Sequence, residues 1–442
     1  MTFVRIKRKQ GSNRKIVYDL SCSEIIRKYF HRGDLFVEYD TEINSVDESI
    51  LSIPIVSAVI TIAWALGADV YIDELDETYL RSLNSIKLVL KRWYPDFSMA
   101  TEIQVKKLVA NRFSNKGHGL LFTYGIDSTA SYIRHRAKKP QLINILAEGS
   151  HRMFSHEDAL ELKRKMSDFI KHEGIDRVQY IRTNLPPSVS VSNNLFQKFG
   201  LGWYTFVAHG LVQTSLCAPL TQTKKIGTLL IASGYIHENN RYPWGSHPDI
   251  DNKVAWADVK VVHDPSRRRE MSKLLKIKIL KKYFKESGYY PSLMVCGKPR
   301  ASNCERCSKC MRIIAGLCLY GIDPNKFGFT NVTKGTFDRL KQYIEKDLFK
   351  REELIVKRGT LISQIYDFYL YHDIQMNIPE NLEHDLYGSK EFFSWFKDLD
   401  LSKLYMESKN IGLSELPWMS IKYIYTRLPP IARTIVKKFS YR

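Results

Sequence analysis

Gly119-Leu-Leu-Phe-Thr-Tyr-Gly-Ile-Asp-Ser-Thr-Ala-Ser-Tyr-Ile-Arg-His135 runs from an apolar stretch through a small-residue turn into a helical pattern. Leu120, Leu121 and Phe122 read as the end of a strand, and Gly125 permits a tight turn. Asp127 and Ser128 stand in capping position, and Ala130, Ile133 and Ala137 recur along one helical face. A strand that turns directly into a helix aims unpaired backbone N–H groups and the positive end of the helix dipole at one point, which suits an anion. The turn lacks the Lys of a Walker loop and the Gly-x-Gly-x-x-Gly of a dinucleotide site. The same residues also suit an ordinary capped strand-to-helix turn.

The chain has 442 residues, enough for two or three domains with a real core, and its 44% hydrophobic content fits a folded protein. A net charge of +20 suits nucleotides, RNA or an anionic membrane surface, and equally a Lys-rich solubilising exterior. The first thirteen residues are basic and polar with no apolar core after them, so no secretory signal is expected. Four of the seven cysteines crowd into one short segment, which points to a metal site in a reducing cytoplasm.

Residues 1–115 read as a separate α+β module. Its uncharged run at 50–67 is long enough to span a membrane, yet Asp47, Glu48, Asp69, Asp73 and Glu74 flank it with no Lys or Arg at either edge. The expectation is a buried core helix, with Pro54 in its first turn and Gly67 ending it. A short strand at 68–72 and helices at 75–93 and 103–111 should follow. Residues 116–320 alternate strands and helices, implying an α/β domain with a parallel sheet and helices on both faces. Strands are expected at 120–123, 142–147, 178–182, 228–234 and 259–263. Helices are expected at 156–172, at 203–218 with a core His209, and at 267–282. Asp264 is expected to cap the last of these, leaving Arg267, Arg268 and Arg269 to reach a phosphate or face water. Ligands in such sheets collect beyond the strand ends, so the loops 123–128 and 147–151 should line one crevice. The polar loop at 235–251 carries specificity or is an ordinary surface loop.

Cys296, Cys304, Cys307 and Cys310 form C-x7-C-x2-C-x2-C. Four thiolates at this spacing can close around one Zn²⁺ as a structural tetrahedral site, and an iron–sulfur cluster would accept the same donors. Residues 321–442 read as mostly helical and basic. Their last 25 residues interleave Lys and Arg with Ile and Leu, a pattern that packs on the protein, lies peripherally on an anionic membrane, or contacts RNA.

Thr123-Tyr-Gly-Ile-Asp-Ser128 resembles the Ser-Gly-Gly-x-Asp-Ser turn of the PP-loop ATP pyrophosphatases, with Tyr124 in place of a Gly. A PP-loop-like turn opening the module and a cysteine knuckle closing it resembles the 7-cyano-7-deazaguanine synthase branch of that superfamily over residues 119–320. The resemblance implies a PP-loop (HUP-like, adenine nucleotide alpha hydrolase-like) sheet. It implies that Thr123, Tyr124, Gly125, Ile126, Asp127 and Ser128 hold the phosphates of ATP, with Asp127 near Mg²⁺ and Asp127 and Ser128 catalytic. Backbone groups near Ala147 would hold the adenine, and Ser233, His247 and Asp251 would face the substrate. The activity implied is an ATP-dependent ligase reaction: a carboxylate or amide is adenylated and then attacked by ammonia or an amine, giving AMP and pyrophosphate. A tRNA-modifying PP-loop enzyme and a non-catalytic scaffold with a decayed loop at Tyr124 are the alternatives.

Overall fold

The computed structural model describes residues 2–147, 156–234, 243–265, 272–296, 302–346, 348 and 370–401. Its frame is one eleven-stranded, mostly parallel sheet with helices on both faces. The strands are β1 (Phe3–Ser12), β2 (Lys15–Cys22), β3 (Leu35–Tyr39), β4 (Asp69–Asp76), β5 (Ile103–Val109), β6 (Gly117–Leu121), β7 (Gln141–Ala147), β8 (Gln179–Thr183), β9 (Ile226–Ala232), β10 (Ala255–Trp256) and β11 (Val259–Asp264). They lie in the order β10-β11-β9-β6-β7-β8-β3-β2-β1-β4-β5. Strands β11, β9, β6, β7 and β8 are mutually parallel. Renumbered along the chain, they read 3-2-1-4-5 from β8 to β11, the doubly wound order whose reversal point lies beside its first strand, here β6.

The helices that frame this sheet are α1 (Ile53–Leu66), α2 (Glu77–Trp93), α3 (Ile126–His135), α4 (His156–Glu173), α5 (His209–Ser215), α6 (Lys273–Ser287) and α7 (Ser308–Leu319). Strand alternation divides the core between the faces. Leu120, Leu142 and Leu230 pack with Tyr132, Met166 and Phe169 of α3 and α4. Their neighbours Leu121, Ile143 and Ile231 join the opposite cluster with α1, α2 and α5. Both faces being covered explains why these strands read as unbroken apolar runs.

Helix α1 is the buried core helix expected, with Ile53, Ile55, Val56, Ile60, Ala63 and Trp64 fully enclosed and Gly67 left-handed (φ 69°) at its end. Among the described residues no helix is long and apolar enough to cross a membrane. Residues 103–109 form an edge strand rather than the expected helix. Val70↔Ile103 and Ile72↔Val105 set them parallel to β4, and Lys106–Asp73 (2.5 Å) and Lys107–Glu74 (3.1 Å) pair across the seam. Pairing decided what a short, weakly patterned segment left open, and the lysines guard the exposed edge. The expected boundary at residue 115 does not interrupt the sheet, because β3 pairs antiparallel with β8 through Val37↔Thr183 and Tyr39↔Ile181.

The apolar helix expected at 203–218 is interrupted. Gly245 donates its N–H to the Thr205 carbonyl (2.9 Å) and accepts from the Gly210 N–H (2.7 Å). One residue of another loop thus inserts into the helical ladder, and 204–208 widen to a π-type turn before α5 begins. A Cβ at Gly245 would lie 2.8 Å from His209 N and 2.9 Å from Thr205 O, both backbone atoms with no room to withdraw. Gly245→Ala is therefore expected to destabilise the fold by about 1–3 kcal/mol, the usual range for overpacking. Urea unfolding should show a lower midpoint at unchanged slope; an unmoved midpoint would contradict the insertion.

Candidate functional site

At the C-terminal end of β6 the chain makes the turn on which the resemblance rests. Helix α3 begins at Ile126 with Gly125 as its N-cap, and no side chain caps it. Asp127 and Ser128 therefore do not cap, contrary to expectation. The buried Ser128 hydroxyl instead accepts from the Thr123 N–H (3.3 Å) and donates to the Gly125 carbonyl (3.2 Å), holding the turn closed. Because no side chain caps the helix, the first N–H groups of α3 lack intrahelical acceptors. Thr123 is exposed.

Tyr124 takes the left-handed backbone conformation (φ 58°) that a Gly adopts freely. Its ring leaves the turn altogether: it is fully buried 5.7 Å from Phe122 and 5.4 Å from Phe169. Tyr124 thus takes a backbone shape that suits Gly while putting its bulk into the core.

Two lysines that sequence reasoning did not single out complete the site. Helix α6 packs on α3, with Ser272 as its N-cap. Lys273 and Lys276 occupy one face of α6 and both engage the Asp127 carboxylate, Lys276 at 2.7 Å. Lys276 also donates to the Ser233 carbonyl at the end of β9. Both lysines are buried, Lys276 to 1% exposure, while Asp127 remains partly open. Burial alone would raise the Asp127 pKa, but the ammonium groups of Lys273 and Lys276 overcome it and hold the carboxyl below its usual range. Burial dominates at Lys273; with Lys276 beside it, it outweighs the pull of Asp127 and pushes the ammonium down to about 7. A signal was present in the sequence: Lys273 and Lys276 continue the apolar stripe of Ile277, Leu280 and Phe284. Residues 267–269, expected to reach a phosphate, lie outside the described residues.

Asp264 ends β11 and binds α3 instead of capping α6, whose N-cap is Ser272. It accepts from Arg134 (2.5 Å) and Ser131, and His135 Nε2 lies 2.9 Å away. Burial works against its charge, yet His135, Ser131 and Arg134 together hold its carboxyl below the usual range. Ser233 donates its N–H to the Asp264 carbonyl (2.6 Å), and Lys276 joins its carbonyl to Asp127, so Ser233 stands beside the turn at 123–128. His247 and Asp251 are not brought there. Asp251 is fully buried and bonds His263 (2.7 Å) and Ser246 (2.7 Å), and His263 points to the sheet face opposite Asp264, its neighbour in β11. His247 accepts from the Asp249 N–H and packs edge-on against Trp93 of α2. Both residues serve packing on the far face. Ala147 ends β7 beside Thr183, and the loop expected after it lies outside the described residues.

The four cysteines converge. Their sulfurs all lie within 4.8 Å of one another, with Cys296–Cys307 at 4.0 Å, Cys304–Cys310 at 3.9 Å and Cys307–Cys310 at 3.5 Å. A tetrahedral ion with metal–sulfur bonds of ~2.3 Å separates its sulfurs by roughly 3.8 Å, so the quartet fits a single metal such as zinc. A four-iron cluster interposes a cube of iron and sulfide and needs its thiolates farther apart. Cys307 is the N-cap of α7 and Cys310 lies in its first turn, where the helix dipole favours thiolates. Glu305 turns left-handed (φ 57°) within the knuckle and accepts from the N–H groups of Thr330 and Asn331.

No family model, curated protein or solved structure matches this chain.

Replacing Tyr124 by Gly relieves a left-handed conformation worth about 1–2 kcal/mol but empties an aromatic core site worth about 3–5 kcal/mol. A net loss of about 1–4 kcal/mol in denaturant unfolding is expected from those two terms, and a gain in stability would show that the ring contributes nothing. The purified protein is expected to carry one tightly held metal ion per chain, measured by plasma emission, and Cys304→Ser to lose it.

Proposed function

We propose that the crevice beyond β6 and β9 binds the phosphates of ATP, and that the chain is an ATP-dependent adenylating enzyme of the PP-loop type. The observation that carries this reading is the pair of buried lysines, Lys273 and Lys276, beside the uncapped N-terminus of α3 at the reversal point of the sheet. While Lys273 keeps its proton, two ammonium groups against one carboxylate leave net positive charge in a place shielded from water, where it acts on a polyphosphate far more strongly than at the surface. Tyr124 speaks against a decayed loop, because its backbone keeps the turn and its ring stays out of it.

In this proposal a substrate carboxylate or amide oxygen attacks the α-phosphorus of ATP, the α–β bridging bond breaks, and pyrophosphate leaves with the bonding pair. Ammonia or an amine then attacks the activated carbon and releases AMP. Lys273, Lys276 and the first N–H groups of α3 hold the charge that accumulates on pyrophosphate, and Ser128 keeps the turn in shape. The expected Mg²⁺ seat at Asp127 does not fit the residues present. Its carboxylate already faces two ammonium groups, and Asp264 is engaged by Arg134, His135 and Ser131, so neither offers a dication an open position. Asp127 instead holds the two lysines in place. A metal held by Cys296, Cys304, Cys307 and Cys310 would supply structure only, as four protein thiolates would leave no open coordination position.

Two measurements test this reading. Incubation with α-labelled ATP and a panel of carboxylic acids plus ammonia should yield AMP and pyrophosphate, and Lys276→Met should lower both ATP affinity and turnover at least tenfold; ADP as sole product would refute it. The second is a pH profile. In the free protein Lys273 loses its proton as pH rises through about 7, and an anion favours the protonated form, so binding ATP takes up a proton. ATP affinity is therefore expected to fall between pH 7.5 and 9.5, approaching tenfold per pH unit, and Lys273→Arg should flatten the profile.

A further inference from the structure

Segment 291–296 lies between the phosphate turn and the cysteine quartet and touches both. The Met294 N–H donates to the Tyr124 carbonyl at 2.8 Å, bracing the one turn residue held left-handed. The Met294 carbonyl lies so close to Gly125 that a Cβ there would stand 3.2 Å from it. Two residues further on, Cys296 is the first sulfur of the quartet. The Met294 side chain packs with the Tyr124 cluster, while Val295 and Cys296 pack with the cluster that holds α6 and α7.

One side chain fastens this segment to the rest of the knuckle. Asn303, buried next to Cys304, accepts from the N–H groups of Val295 (3.0 Å) and Cys296 (3.1 Å). Its amide nitrogen donates to the carbonyls of Leu293 (2.8 Å) and Gly328 (2.8 Å). The Oδ1 lone pairs and both amide hydrogens are thus all used, a degree of satisfaction that fixes the amide's orientation.

We infer that the metal centre is a latch for the phosphate turn: an ion joining Cys296 to Cys304, Cys307 and Cys310 fixes segment 291–296, and that segment holds Tyr124 and Gly125 in their anion-binding shape, with Asn303 as the positioning residue. The path from ion to turn runs through two backbone residues and one hydrogen bond, so releasing Cys296 frees Met294. The sheet has no such dependence, since β6 is held independently by β7 and β9. The consequence for ATP rests on the function proposed above; the mechanical link does not.

Hydrogen exchange on the full chain, metal-loaded and then stripped by a chelator under reducing conditions, decides the link. Removing the ion should speed exchange at least tenfold in peptides covering 122–126 and 291–296, and leave those of β1, β2 and β4 unchanged. Unaltered exchange at the turn, or a rise spread over the whole sheet, overturns the latch. Asn303→Asp, which keeps the shape but turns two donors into an acceptor facing carbonyls, should loosen the same peptides with metal still bound. With cobalt in the site, ATP should shift the thiolate-to-metal bands, and ATP and metal should raise each other's affinity by one common factor, as linkage requires. Unchanged bands on saturation with ATP overturn the coupling. Failure of ATP to bind the loaded protein removes the proposed function, while the exchange result still decides the latch.

Discussion

Strand β6 lies between β7 and β9, and its two neighbours belong to halves of the sheet that wind in opposite directions. The connections leaving this region diverge, the arrangement at which doubly wound sheets place their ligand crevice. Several polar groups of the described residues meet there. The turn at 123–128 leaves β6, Ser233 leaves β9, Asp264 ends β11, and α6 returns across the opening to deliver its lysines. The N-terminal strands extend the same sheet beyond β8 and leave the geometry of the opening unchanged.

Charge is arranged at the two ends of α3 in two sets. Asp264 is surrounded by Arg134, His135 and Ser131 and ties the end of α3 to the end of β11. Asp127, at the other end of α3, is answered by two lysines that α6 carries in from outside the sheet. Burial of ammonium groups is unfavourable unless they are paired; here the two share one carboxylate, and Lys276 adds the Ser233 carbonyl. Burial, with Lys276 beside it, depresses the proton affinity of Lys273 despite the pull of Asp127.

Two local exceptions to backbone rules preserve this arrangement. Tyr124 accepts a left-handed conformation in exchange for a buried ring among Phe122, Tyr132 and Phe169. Gly245 breaks a helix by entering its hydrogen-bond ladder, and so seats Ser246 and Asp251 on the far face of β11. The first keeps the turn open toward the crevice, and the second builds the support beneath β11.

Local pattern was sufficient wherever one residue type has one physical outlet. The apolar runs at Leu120 and Leu142 had to be strands buried on both sides, the uncharged run flanked by acids had to be a core helix, and four cysteines within fifteen residues had to meet. Pairing and packing decided the rest, because those depend on partners far away in the chain. Residues 103–109 became a strand only because β4 offered an edge, and 203–218 was split only because Gly245 arrived from another loop. Asp251 looked like a substrate ligand until His263 took it to the opposite face. The lysines of α6 reached Asp127 across nearly 150 residues, a meeting that no spacing along the chain encodes.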